Sequence, residues 1–354
     1  MLRNLLSALG RVGGYLIAFI VGILFVQHVI KANFLSSVAP GSTAEVYFEV
    51  GKGSNLKTIS EELEKRGIIK HWYSLYYLSK FKGDSEGLKI LAGEYELSPG
   101  LSPLKIFEVL TSGKIVQHPL TIPEGVNVNE IAQMMARTGL VSFDDAKQAL
   151  SDRNLMLQLD IPALTPEGYI YPETYNFSRP ITAEQMVIRI VQEGTKKMDD
   201  GIRGWRDRAH ELGFTPYQIL TLASIIEKET AKNEERSLIA SVFHNRLRIG
   251  MPLQSDPTVI YGIPNFNGNL TKEDLKTPSP YNTYLNTGLP PSPICNPSLN
   301  SLKAALYPEE NSDYLYFVSK GDGNHHFAKT YKEHSLAVKN FQPIIVPAGG
   351  APPA

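Results

Sequence analysis

The chain has 354 residues, 42% hydrophobic and 20% charged, and its 35 basic and 36 acidic side chains leave a formal net charge of −1. That is enough for two or more domains with real cores, and low complexity does not dominate. No dense Lys/Arg stripe with interleaved aromatics is present, which argues against nucleic acid as the main ligand, and the lone Cys295 excludes an internal disulfide.

From Val12 to Ile30 the chain reads VGGYLIAFIVGILFVQHVI, apolar but for Gln27 and His28 near its end. This is about long enough to cross a hydrocarbon core of roughly 30 Å, so a single membrane-spanning helix is expected over residues 12–30. Arg3 and Arg11 precede it and only Lys31 follows closely, a bias that places residues 1–11 in the cytoplasm and the rest outside. The small residues Ser37, Val38 and Ala39 would suit a cleaved signal peptide. Against that, the apolar run exceeds a usual signal sequence and Pro40 would be the first mature residue. Residues 31–42, ending FLSSVAPGS, have linker composition.

AEVYFEV alternates as a strand. Gly53 and Ser54 then read as a turn and helix start, Leu56, Ile59 and Leu63 share a helical face, and Gly67 is a stop. The pattern returns 72 residues later, where TIPEGVNVNEIAQMMARTGLV aligns with EVGKGSNLKTISEELEKRGII. Gly53 matches Gly125, Asn55 matches Asn127, Ile59 matches Ile131 and Gly67 matches Gly139. Two copies are too few for a solenoid and predict small αβ modules in tandem. Between them, ILAGEYELSPGLSPLKIFEVLTSGK predicts a strand, a Pro/Gly turn and a helix over Pro103 to Leu110.

EGYIYPETYNF, from Glu167 to Phe177, is too irregular for one element. Helices are predicted over Ala183 to Lys197 and from about Gly204 to Leu212. Thr215 reads as the N-cap of the next, with Pro216 in its first turn and Gln218 completing a capping box. Further on, LKAALYP reads as a short helix, and YLYFVSK, GDG and HHFAKT as a hairpin. Residues 343–354 have the composition of a disordered tail. The fold class is α+β: a membrane helix, a small αβ module over 43–118 and a mixed domain over 119–342.

The helix after Thr215 ends in LASIIEKET, an apolar run carrying Glu227 and Glu229. A buried carboxylate must be paired or hold its proton, so this is either a helix end reaching water or a site for acid chemistry. At 100° per residue, Glu227 falls on one flank of the apolar face and Glu229 on the other, about 160° apart, so one cleft does not easily use both. Tyr217, Thr221, Ser224 and Lys228 form the polar side. A glutamate beside a lysine at a helix end is more often solvated or paired. The acid reading gains from the polar, aromatic, proline-stiffened sequence downstream, which suits a sugar cleft. There Asn245, Gln254, Asp256, Tyr281 and Asn282 are candidates to hold sugar or to stabilise developing positive charge, although Asn245 and Arg246 could as well cap or brace a helix, Asp256 start a turn, and Tyr281 and Tyr284 be core. His325, His326 and His334 lack ligand spacing, and neither a metal nor a cofactor is expected.

Taken in order, EGYIYPETY, ASIIEKET, VFHNRL, LQSDPTVIYG, YNTY and GLPPSPICNPS resemble the endolytic murein transglycosylase (YceG-like, MltG) family over essentially everything after the linker. The resemblance implies an enzyme of the cytoplasmic (inner) membrane with its catalytic domain periplasmic or extracytoplasmic, and a LysM-like module over 43–118. It implies peptidoglycan glycan strands as substrate, cleavage between N-acetylmuramic acid and N-acetylglucosamine to leave 1,6-anhydromuramoyl ends, and peptidoglycan synthases as partners. The family's essential glutamate is carried onto Glu227, a choice the helical projection does not make. A hydrolytic muramidase using Asp256 as a second acid and a noncatalytic wall-binding scaffold are the competing readings. A pyridoxal-phosphate lyase would need a lysine site that is not recognisable here.

Overall fold

The computed structural model describes residues 2–81 and 89–342, so the expected tail over 343–354 lies outside the described residues. Helices and short strands are mixed, and the chain divides into two compact units, Met1–His118 with Phe177–Ile181, and Pro119–Asn176 with Thr182 onward.

The first unit opens with α1 (Leu2–Ile30), which continues through a π-helical turn at Lys31–Leu35. The helix thus begins well before Val12. Its stretch Gly13–Leu35 has a mean hydropathy of 2.0, long and apolar enough to cross a bilayer. Residues 34–42 are not a loose linker. Ala39 N donates to Pro99 O at 3.0 Å, Ser98 Oγ donates to Ser42 O at 3.1 Å, and Ser37 is buried.

Next come β1 (Val46–Val50), α2 (Leu56–Lys65), α3 (Tyr73–Phe81), β2 (Gly93–Leu97) and α4 (Pro103–Thr111). β1 and β2 pair antiparallel, with Phe48 opposite Tyr95. Phe48, Val50, Ile59, Leu63, Leu75, Tyr95, Ile106 and Phe107 fill the core between the sheet and the helices. The helix start differs from the expectation: Asn55 caps α2, its Oδ1 accepting from Thr58 N at 2.9 Å, while Ser54 belongs to the preceding turn. An N-cap side chain accepts from the second or third amide of the helix, and Asn55 meets the third.

A similar run follows with one more helix between its strands, β3 (His118–Thr121), α5 (Val128–Arg137), α6 (Phe143–Leu150), α7 (Arg153–Gln158) and β4 (Thr174–Phe177), and β3 pairs with β4. The 72-residue repeat is therefore structural. Asn127 caps α5 as Asn55 caps α2, Ile131 is buried as Ile59 is, and the four matched glycines all have φ between +69° and +76°. That left-handed conformation is what glycine tolerates at no steric cost.

The rest of the second unit is α8 (Ala183–Gly201), α9 (Trp205–Glu211), α10 (Pro216–Glu229), α11 (Asn233–Arg248), α12 (Asp256–Tyr261), α13 (Leu299–Leu306), the hairpin β5 (Tyr316–Ser319) and β6 (His325–Ala328), and α14 (Tyr331–Phe341). The hairpin pairs Phe317 with Phe327 and Val318 with His326.

Candidate active site

α10 begins as the sequence predicts. Thr215 Oγ1 accepts from Gln218 N at 3.2 Å and Gln218 Oε1 accepts from Thr215 N at 2.8 Å. Its sidedness differs. Every residue from Ile219 to Ile226 is buried, including Thr221 and Ser224 of the expected polar side. Thr221 Oγ1 donates to Tyr217 O and Ser224 Oγ to Thr221 O, which removes the desolvation cost and lets α10 be a central helix packed all round. Its two ends are less buried than this middle stretch, and the last turn carries both glutamates.

Glu227 is held by protein on both oxygens. Oε1 faces Arg236 Nη2 at 3.3 Å, and Oε2 accepts from Ser298 N at 2.9 Å and Ser298 Oγ at 2.6 Å. The ion pair is buried, with side-chain exposures of 6% for Glu227 and 5% for Arg236. Ser298 is the N-cap of α13, and Arg236 Nε also reaches Ser301 Oγ at 3.0 Å. The carboxylate thus joins the end of α10 to the starts of α11 and α13. A proton transfer from Glu227 to a substrate would require breaking these bonds.

Glu229 lines a polar cavity of about 570 Å³ with Arg246, Gln254, Asp256, Tyr284 and Tyr316. It also lines a second cavity of about 400 Å³ with Glu124, Gly125, Glu227, Lys228 and Arg236, so Glu227 borders one of the two cavities and Glu229 both. Burial pushes its carboxyl up to about 7. The nearby Asp256 adds to this, and a hydrogen bond from Ser255 Oγ and the charge of Arg246 oppose it. A carboxylic acid protonated near neutral pH and open to a cleft on either side is suited to general acid and then general base work.

The motif loops set this cleft. Ser255 N donates to Thr283 Oγ1 at 3.0 Å, and Gln254 N to Thr283 O at 3.0 Å. LQSDPT is in this way locked to YNTY. Gln254 takes φ +51°, a conformation uncommon for a side-chain-bearing residue, and it is exposed beside the cavity. Asp256 accepts from Tyr284 Oη at 2.6 Å.

Of the five candidates for holding sugar, Gln254 and Asp256 therefore reach the cleft of Glu229. The other three are occupied elsewhere. Asn245 spends Nδ2 on Ser312 O (2.7 Å) and Tyr314 O (3.0 Å). Asn282 is fully buried and donates to Leu275 O and Thr277 O while accepting from Tyr284 N. Tyr281 packs on Tyr261 and shares a hydrogen bond with Ser292 Oγ. Their polar groups are thus bonded within the protein, and Asn245 lines a different cavity, of about 710 Å³, with Tyr217 and His244.

Sequence reasoning missed Ser255, Arg236 and Ser298, and it also missed the buried pair Glu167 and Asn296. Glu167 accepts from Val128 N (3.0 Å), Tyr261 Oη (3.1 Å) and Asn296 Nδ2 (2.8 Å), and burial pushes its carboxyl up to about 8. Asn296 O accepts from Gly125 N at 3.0 Å, and its own N–H donates to Val126 O. This pair anchors the glycine turn of the second repeat against the end of α10, where a Cβ on Gly125 would meet Glu227 Cγ and Lys228 Cδ, each at 3.7 Å. A glutamate inside an otherwise apolar and tyrosine-rich run was the available signal.

Residues 48–340 match the YceG-like family, and the chain belongs to it. It is 34% identical to the endolytic murein transglycosylase of Bacillus subtilis (strain 168), over 87% of this chain and 88% of that one. It is 31% identical to the endolytic murein transglycosylase of Streptococcus pneumoniae serotype 2, over 86% of this chain and 60% of the longer relative. Among solved structures, a YceG-like protein of Listeria monocytogenes superposes with a TM-score of 0.57 at 35% identity, covering 83% of this chain and 99% of that one.

Proposed function

We propose that the chain is an endolytic murein transglycosylase in which Glu229 is both acid and base. The observation that carries this reading is that Glu229 lines both cavities at the end of α10 while its carboxyl holds its proton up to about pH 7. A glycan strand cut internally must extend past the scissile bond in both directions, and an acid lying between two clefts meets that need.

Protonated Glu229 donates to the oxygen that links N-acetylmuramic acid to N-acetylglucosamine, and the C1–O bond breaks. The carboxylate then takes the proton from the muramoyl C6 hydroxyl as that oxygen bonds to C1. The products are an N-acetylglucosamine 4-hydroxyl and a 1,6-anhydromuramoyl end, with no water consumed. Hydrolases need a second carboxylate as nucleophile or as base for water; here the substrate supplies its own nucleophile. Gln254 and Asp256 contact the sugar beside the bond, and Glu227 positions the last turn of α10.

The wider reading places α1 across the cytoplasmic membrane with residues 1–11 inside and both units outside. Arg3 and Arg11 support that orientation. The strand–helix–helix–strand order within 43–118 supports a LysM-like module there, ahead of a catalytic domain over 119–342. Cleavage of nascent strands would end their elongation and bring the enzyme to peptidoglycan synthases. Chemical cross-linking of the full-length chain in cells tests that partnership, and recovery without any synthase counts against it. For the reaction itself, purified sacculi digested with the protein should release fragments of many lengths bearing anhydromuramoyl ends. Reducing muramoyl ends would overturn the reading in favour of hydrolysis.

A further inference from the structure

We propose that the aromatic face of α3 rests in the headgroup region of the bilayer that α1 crosses, holding the first unit at the membrane surface. The inference rests on reading α1 as a membrane span. It starts from the stretch HWYSLYYLSKF, residues 71–81. At 100° per residue, Tyr73, Tyr76, Tyr77 and Phe81 occupy one half of the helix, with Trp72 just before its first turn, and the buried Ser74, Leu75 and Leu78 occupy the other. The core accounts for the second half only. Tyr76, Tyr77 and Phe81 are 38%, 49% and 80% exposed.

The place of this face is fixed by contacts with the end of α1. Phe81 packs edge-on against Phe34, with ring centroids 6.5 Å apart, and Tyr73 Oη donates to Asn33 Oδ1 at 3.0 Å. Asn33 and Phe34 are inside the apolar stretch Gly13–Leu35, close to its end. A ring touching Phe34 therefore lies at the depth where the apolar span meets the headgroups. α3 has nine residues and extends only about 13 Å, so its other aromatic side chains stay within one headgroup layer's reach of that level. The bonds that strap Ala39 and Ser42 to Pro99 and Ser98 keep this geometry from being a swinging tether.

The chemistry suits lipid. Trp and Tyr bury a ring and keep a polar tip wet, which is why they collect at membrane interfaces. Lys80 Nζ lies 6.0 Å from the centroid of the Tyr76 ring, a cation–π contact on the same aromatic face. Stacked aromatics also bind sugars, and the test separates the two.

The full-length chain is reconstituted into phosphatidylglycerol/phosphatidylethanolamine vesicles with single spin labels at Ile20→Cys, Tyr77→Cys and Phe81→Cys. Native Cys295 is buried and stays unlabelled. All three labels are expected to collide with oxygen more often than with a water-soluble nickel chelate. Nickel-accessible labels at 77 and 81 beside a lipid-buried label at 20 overturn the docking and leave the anchor standing. The same pattern followed by shielding on addition of glycan strands assigns the face to sugar and also overturns it. Nickel access at all three positions removes the anchor and the docking together. The unmodified chain gives a second reading. Brominated lipids should quench its Trp72 emission, Trp205 being buried in the other unit's core, and unquenched emission contradicts the proposal.

Discussion

Ser255 Oγ donates to Glu229 Oε1, joining the last turn of α10 to the loop that carries Gln254 and Asp256. The bond fixes which way the Glu229 carboxyl points and favours its charged form, against the burial that favours the neutral one.

Activity should accordingly fall as pH rises through about 7, where Glu229 loses the proton it must donate. Two substitutions should move this limb in opposite directions. Ser255→Ala removes a bond that lowers the pKa and shifts the limb to higher pH. Asp256→Asn removes a negative charge that raises it and shifts the limb to lower pH. Rate profiles of anhydromuramoyl release from pH 5 to 9 check both signs.

Glu227→Gln leaves the Arg236 guanidinium buried without its counter-charge, so it should cost ~3–5 kcal/mol of stability. Urea denaturation measures the loss. Activity should persist wherever the variant is still folded if Glu227 serves, as proposed, to hold the helix ends together while Glu229 is the acid.

Asn282→Ala should cost ~1–3 kcal/mol, since it strands the carbonyls of Leu275 and Thr277 and the N–H of Tyr284. KM below the melting transition should remain that of the unmodified protein. A raised KM in a fully folded Asn282→Ala or Asn245→Ala variant would return these residues to the substrate site.

Glu167 sets a pH dependence of stability. Its folded pKa of about 8 lies above the ordinary 4.5, so the native state holds a proton that the unfolded chain releases. Stability is then greatest below about pH 4.5 as far as this group decides it, and it falls as pH rises towards 8. Glu229 adds to the same slope up to about 7. Denaturation midpoints for Glu167→Gln should vary less with pH than those of the unmodified chain, even though the variant is less stable overall.

Much of the framework was legible because it is local. The capping box of α10 and the hairpin are short-range patterns, and the repeat betrays itself through glycines at positive φ and asparagines at N-caps. The sequence pattern puts the helix start at Ser54, and only the helix geometry gives the cap to Asn55. The acid was harder to read. Helical projection places Glu227 and Glu229 on two flanks but says nothing of what faces each flank. Arg236, Ser298 and Ser255 supply that, and they lie 9, 71 and 26 residues from the glutamates they bond. The same holds for Asn245, Asn282 and Tyr281, whose polar groups are spent on segments that sequence order keeps apart or leaves unassigned.

The most direct test of the account is mass spectrometry of peptidoglycan treated with the unmodified protein, Glu229→Gln and Glu227→Gln, each checked for folding by circular dichroism. The account predicts anhydromuramoyl products from the unmodified protein and from folded Glu227→Gln, with a loss of about 10²-fold or more for Glu229→Gln. Full anhydromuramoyl production by Glu229→Gln, with none from a folded Glu227→Gln, would contradict it.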